Sequence, residues 1–254
     1  MTKASSVAGH MSRDHVVVFK MPSLRTELAT MAMRRALAAE AVGVFLFVFL
    51  AAGTVLVTGL AERMSAARIL VVALAHGLAF GLAVAGAGAL SGGHLNPAIT
   101  FGAVVARKMT AVSGVLYMAA QMLGAVAATL LLKLVVPNAL ANGLGAHSLA
   151  TRLAPEAAVI VEMVLTCALV VAFFTTSTPQ ARHLAPVALG SVMVLAHLFA
   201  MGLTGASLNP ARSFGPALIS GVWTSHWIYW MGPLMGGVLG AMVWKYGMAD
   251  TKNA

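Results

Sequence analysis

The chain has 254 residues, of which 60% are apolar and only 9% charged, and its mean hydropathy is +0.90. A soluble domain carries about a quarter charged residues, so this composition excludes a water-soluble enzyme or binding module and points to an integral membrane protein of one domain. The formal charge of +9 would mark a nucleic-acid binder in a soluble chain; here it is read as orientation in a bilayer, with lipid and not nucleic acid as the partner.

Residues 1–35 carry scattered charges and no compact apolar stretch, so they read as a cytoplasmic arm and not as a cleaved signal. A helix needs about 20 apolar residues to cross the bilayer. The first such run, 36–59, holds Glu40 and Phe47. The second, 68–90, holds His76 and Phe80. A run too short to span, 96–106, opens with Asn96-Pro97-Ala98 and Ile99 and follows His94. The third span is 111–134. A loop with His147 then leads to the fourth, 156–177, with Glu162, Leu169 and the lone Cys167. The fifth, 184–204, carries Met193 and His197. A second short run, 209–219, follows Ala206 and opens with Asn209-Pro210-Ala211 and Arg212. The sixth span is 226–247, and 248–254 reads as a cytoplasmic tail. One cysteine leaves no disulfide within the chain and no cysteine metal site. No nucleophile–base pair or metal cluster stands within a span, so neither enzyme chemistry nor a cofactor is expected.

The expected architecture is therefore all-α: six transmembrane helices plus two re-entrant half-helices. Its body is 36–247, with one half at 36–134 and the other at 156–247. With both termini inside, the inner side holds 11 Lys and Arg and the outer side 4, Arg212 set aside. That asymmetry places both termini in the cytoplasm, and the expected host is the plasma (inner) membrane. Three spans per half is odd, so the halves are inverted, and the short helices enter from opposite faces to meet near the midplane.

Asn is a good N-cap and Pro suits the first helical position. Asn96 and Asn209 then use their side-chain oxygens as caps and keep their amide N–H₂ groups to donate. Two such donors on one axis would bind the oxygen of a passing water, and two positive helix ends would repel cations. A secondary transporter would also show inverted repeats, but it should place an ionisable group where this chain has neutral amides. Glu40 and Glu162 are costly at membrane depth and should face the bundle interior.

The doubled Asn-Pro-Ala motif, in matching places of a six-span chain, resembles the aquaporin family. That resemblance covers about residues 36–247. It implies a passive water channel that excludes protons and ions, one pore per chain, and a homotetramer. It implies that Glu40 and Glu162 accept hydrogen bonds from the re-entrant loops, with His94 lending backbone. Counting from the asparagines, it assigns the selectivity filter to His76, His197, Ala206 and Arg212. Phe47 with Leu169, and Phe80 with Met193, fall at matching offsets; for these four, pore lining and core packing both stand, and Ile99 mirrors Arg212 on the inner side. Ser213 and Ala217 stand where glycerol facilitators carry Asp and a basic residue. His76, where orthodox water channels have an aromatic, looks more like plant tonoplast intrinsic proteins, whereas His197 follows the water-selective pattern. The second reading is thus a broader channel for water, ammonia or hydrogen peroxide. His147 is read two ways, as a fifth filter position or as a solvated loop residue.

Overall fold

The computed structural model describes residues 30–60, 63–138 and 143–248. Most of the expected N-terminal arm and nearly all of the tail lie outside the described residues. Eight α-helices occur among the described residues: α1 (Met31–Val57), α2 (Ala66–Ser91), α3 (Pro97–Val105), α4 (Ala111–Val135), α5 (Pro155–Thr176), α6 (Ala185–Ala200), α7 (Pro210–Ser220) and α8 (Ile228–Val243). Their starts follow local chemistry. Thr30, Ser65 and Thr110 each accept a backbone N–H from three residues on, capping α1, α2 and α4. Pro97, Pro155, Pro186 and Pro210 sit in the first turns of α3, α5, α6 and α7, whereas α8 begins with neither a side-chain cap nor an early proline.

Among the described residues, five helical runs are long and apolar enough to cross a membrane, the fifth counting a 3-10 turn over Arg182–Leu184 ahead of α6. The sixth expected span is shorter as an α-helix, 16 residues, and continues into a π turn over Trp244–Met248. The first helix starts at Met31, earlier than expected, because Thr30 caps it. Large apolar side chains such as Leu78, Leu134 and Val187 are more than 70% exposed on the outer faces, as expected where lipid is the solvent.

The two halves are built alike. α1 packs on α2 and α4; α5 packs on α6 and α8. The halves meet along α2 and α6, where Gly77 and Gly190 let the backbones touch: a Cβ on Gly190 would lie 2.7 Å from the Gly77 carbonyl oxygen. Each half-helix crosses over, α3 packing on α8 and α7 on α4. Following the chain across the six spans puts α3 and α7 on opposite sides, with their N-termini meeting inside. One apolar cluster fills the space around them, and it includes Phe47, Phe80, Ile99, Leu169 and Met193, all fully buried.

Candidate functional site

Asn96 and Asn209 cap their half-helices as their sequence predicts. Asn96 Oδ1 accepts from Ala98 N at 2.8 Å, and Asn209 Oδ1 accepts from Ala211 N at 3.0 Å and Arg212 N at 3.3 Å. The amide groups depart from expectation. Asn96 Nδ2 donates to the Leu208 carbonyl and Asn209 Nδ2 to the Leu95 carbonyl, both at 2.8 Å. One N–H of each amide is thus used to tie the halves together, leaving one per amide for a passing molecule. These crossed bonds bring Asn96, Pro97, Ala98, Asn209, Pro210 and Ala211 into one buried group.

The loops leading to the asparagines hang on the two buried carboxylates. Glu40 Oε1 accepts from Ser91 Oγ at 2.6 Å and His94 N at 2.9 Å, and its Oε2 from Leu95 N at 2.6 Å and Gln121 Nε2 at 2.7 Å. Glu162 Oε1 accepts from Thr204 Oγ1 at 2.7 Å and Ser207 N at 2.9 Å, and its Oε2 from Leu208 N at 2.8 Å. Both leucines are left-handed, Leu95 at φ 52° and Leu208 at φ 53°. That conformation costs of order 1–3 kcal/mol for a non-glycine residue, and the charge-assisted bonds to their N–H groups hold it. Tyr117 and Tyr229 complete the pattern, donating to the Ser91 and Thr204 carbonyls at 3.0 and 2.9 Å. The His94 ring packs behind its loop, with Nδ1 3.1 Å from Thr100 Oγ1 and its centroid 5.3 Å from that of Tyr117 and 5.0 Å from that of Phe173.

Three of the four expected filter residues meet directly. His76 Nδ1 lies 2.8 Å from the Val72 carbonyl and His197 Nδ1 2.8 Å from the Met193 carbonyl, each four residues back in its own helix. A carbonyl only accepts, so both rings carry their hydrogen on Nδ1 and present Nε2 as an acceptor. Arg212 Nε and Nη2 each approach His76 Nε2 at 3.4 Å, and Nη1 donates to the Gly145 carbonyl at 2.9 Å. The two imidazoles lie against each other with centroids 4.0 Å apart, so the neighbouring ring takes up room that the small His76 ring would release. His197 Nε2 is buried and has no hydrogen-bond partner among the described residues. Ala206, the fourth, is buried at φ 55°, its N–H held by Thr204 Oγ1 at 3.1 Å. Phe47 stands edge-on to Phe80 and His76, at 5.1 and 6.2 Å between centroids.

His147 is buried, 8% exposed, and so is not a solvated loop residue. Its Nδ1 lies 2.8 Å from Ser213 Oγ, and its ring sits 5.1 Å from that of Tyr229. Burial, and then the nearby Arg212 charge, hold its pKa well below the usual histidine value. A cavity of about 140 Å³ opens above the filter between Gly145, His147, Gly205 and Arg212 on one side and Met64 and Met201 on the other. Sequence reasoning missed Ser91, Gln121, Thr204 and the hydroxyls of Thr100, Ser207 and Ser213. Gln121, an amide amid an apolar run, carried the one signal that could have exposed it.

Five membrane-length helical runs and a shorter sixth, set around two inward-meeting half-helices, define a multi-pass membrane channel with an inverted repeat. The profile of the major intrinsic protein family matches residues 27–244. Aquaporin-4 of Mus musculus is 37% identical over 220 residues, spanning 85% of this chain and 68% of that protein. Aquaporin TIP4-1 of Zea mays is 40% identical over 220 residues, spanning 83% and 84% of the two chains. The fold also matches the structure of the aquaglyceroporin from Plasmodium falciparum, with a TM-score of 0.75 over 85% of this chain and 97% of that one, at 21% identity. The chain belongs to the aquaporin, or major intrinsic protein, family.

Proposed function

We propose that this aquaporin-family water channel conducts water in single file past His76, His197, Ala206 and Arg212 and then past the paired asparagines. The convergence of two capped half-helices carries the reading. Each asparagine keeps one N–H to orient a water oxygen, and both helix N-termini oppose a cation there. Arg212 adds a fixed positive charge at the filter, so water passes while protons and ions do not. Phe47, Phe80, Ile99, Leu169 and Met193 supply an apolar wall that neither binds nor delays water. The channel is a homotetramer of the plasma (inner) membrane with both termini cytoplasmic, supported by the exposed apolar faces and by the excess of Lys and Arg on one side.

A second permeant, ammonia or hydrogen peroxide, is favoured by one observation: the unpartnered, buried His197 Nε2 offers an acceptor to a donor-rich solute. Stopped-flow light scattering of reconstituted liposomes tests both readings. Wild-type protein should give fast, low-activation-energy water flux without proton current, and some ammonia or peroxide flux with little glycerol. His76→Phe should keep the water flux and lower the ammonia flux. A proton current driven by a pH gradient through the wild type would refute the channel mechanism; ammonia flux unmoved in His76→Phe would refute the second permeant's route.

A further inference from the structure

The pore loops match donor for donor across the two halves, with one exception. Four residues after each asparagine stands a hydroxyl, Thr100 in the first half and Ser213 in the second. Thr100 Oγ1 accepts at 2.9 Å from Gln121 Nε2, and the same amide holds Glu40. Gln121 lies four residues after Tyr117 in α4. The matching place in α8, four residues after Tyr229, is Pro233, which has no side-chain donor. The donor to Ser213 comes instead from the stretch between the halves, as His147 Nδ1 at 2.8 Å.

The direction of this bond follows from its neighbours. Ser207 Oγ donates to the Asn209 carbonyl at 3.1 Å, and a carbonyl only accepts. That uses the one Ser207 hydroxyl hydrogen, so in the short Ser207–Ser213 contact Ser213 is the donor. Ser213 has then used its own hydrogen and accepts from His147. The chain runs from His147 Nδ1–H through Ser213 and Ser207 to the backbone of Asn209. Two residues before His147, the Gly145 carbonyl accepts from Arg212 Nη1 at 2.9 Å. The same strap is fixed at its far end by Ala150 N donating to the Leu203 carbonyl at 2.8 Å, and at its near end by the buried Leu144.

We propose that His147 is a positioning residue: its Nδ1–H locks the 143–150 strap to Ser213 and thereby sets where the Gly145 carbonyl holds Arg212, doing for the second half-helix what Gln121 does for the first. The proposal rests on the reading of Arg212 as a filter residue. Liposome swelling assays on the full-length protein, comparing urea with water permeability, test it. Asparagine places an amide N–H near the histidine Nδ1 position, whereas glutamine reaches past it. His147→Ala and His147→Gln should each raise the urea-to-water ratio about tenfold, the effect of one lost buried hydrogen bond, and Ser213→Ala at least as much, while His147→Asn stays within about twofold of wild type. The double variant His147→Ala/Ser213→Ala should not exceed Ser213→Ala alone, because Ser213→Ala already removes the bond to His147 along with its own bond to Ser207. If His147→Ala does not reconstitute, the Asn and Gln variants carry the same comparison. A ratio that Arg212→Ala raises but His147→Gln and Ser213→Ala leave unchanged would overturn the proposal alone. Equal behaviour of His147→Asn and His147→Gln would also overturn it. A ratio unmoved by Arg212→Ala would overturn the filter reading and the proposal with it.

Discussion

Gly215 sits in the half-helix that carries Arg212, one turn beyond it, where α7 presses on α4. A Cβ at Gly215 would lie 2.6 Å from the Ala125 carbonyl oxygen and 2.9 Å from Thr129 Oγ1. The first of these neighbours is backbone and cannot rotate away. Restoring ordinary contact needs α7 to withdraw by about 0.8 Å, enough to forfeit a quarter to a half of the dispersion energy along that seam. Overpacking of this kind costs roughly 1–3 kcal/mol. The displacement has a second consequence, because Asn209 caps the same short helix. Its 2.8 Å bond to the Leu95 carbonyl would stretch to about 3.6 Å, outside hydrogen-bonding distance. Gly215→Ala should therefore lower the melting temperature of the solubilised protein and cut water flux several-fold in liposomes. Gly86→Ala is the matched control. A Cβ there meets nothing within 4 Å, and alanine is favoured over glycine in a helix by up to about 1 kcal/mol, so stability should hold or rise with flux intact. Melting and flux unchanged in Gly215→Ala would refute the idea that this glycine seats the half-helix.

Two further outcomes are expected. Glu162→Gln keeps the shape of the carboxylate but turns one acceptor into a donor facing the Leu208 or Ser207 N–H, leaving a buried N–H unpaired at about 1–3 kcal/mol and weakening the remaining bonds; thermal unfolding that matches wild type would show that the carboxylate does not hold the loop. His147 stays neutral in the folded protein while its unfolded counterpart takes up a proton near pH 6.5, so the unfolded state binds more protons below that pH. Stability should fall as pH drops below about 6.5, by at most about 1.4 kcal/mol per pH unit from this group, and the slope should shrink in His147→Asn. A slope identical in that variant would show that His147 is not the group responsible.

Much of this arrangement was legible in the residues. Runs of apolar sequence marked the spans because a helix satisfies its own backbone polar groups where there is no water, and Asn-Pro marked the half-helix starts because a cap and a fixed φ are local properties. Glu40 and Glu162 stood out because charge at that depth demands donors. The crossed bonds of Asn96 and Asn209 could not be read, since each acceptor is a backbone carbonyl over a hundred residues away. The same holds for His147, whose partner Ser213 is 66 residues distant. The π turn over Trp244–Met248 at the end of the sixth span could not be read either, because hydropathy is the same for an α and a π turn.

The crossed asparagine bonds also bear on how the chain is made. Asn96 cannot meet its acceptor until Leu208 has been synthesised, 112 residues later. Until then the first loop has its carboxylate and its glutamine, but one amide of Asn96 has no permanent partner, and α3 lacks the α8 face on which it rests. The first three spans therefore hold α3 only by its own loop and by its packing on α4. The first half cannot complete its own pore, because the partner asparagine and the α8 face both come from the second half.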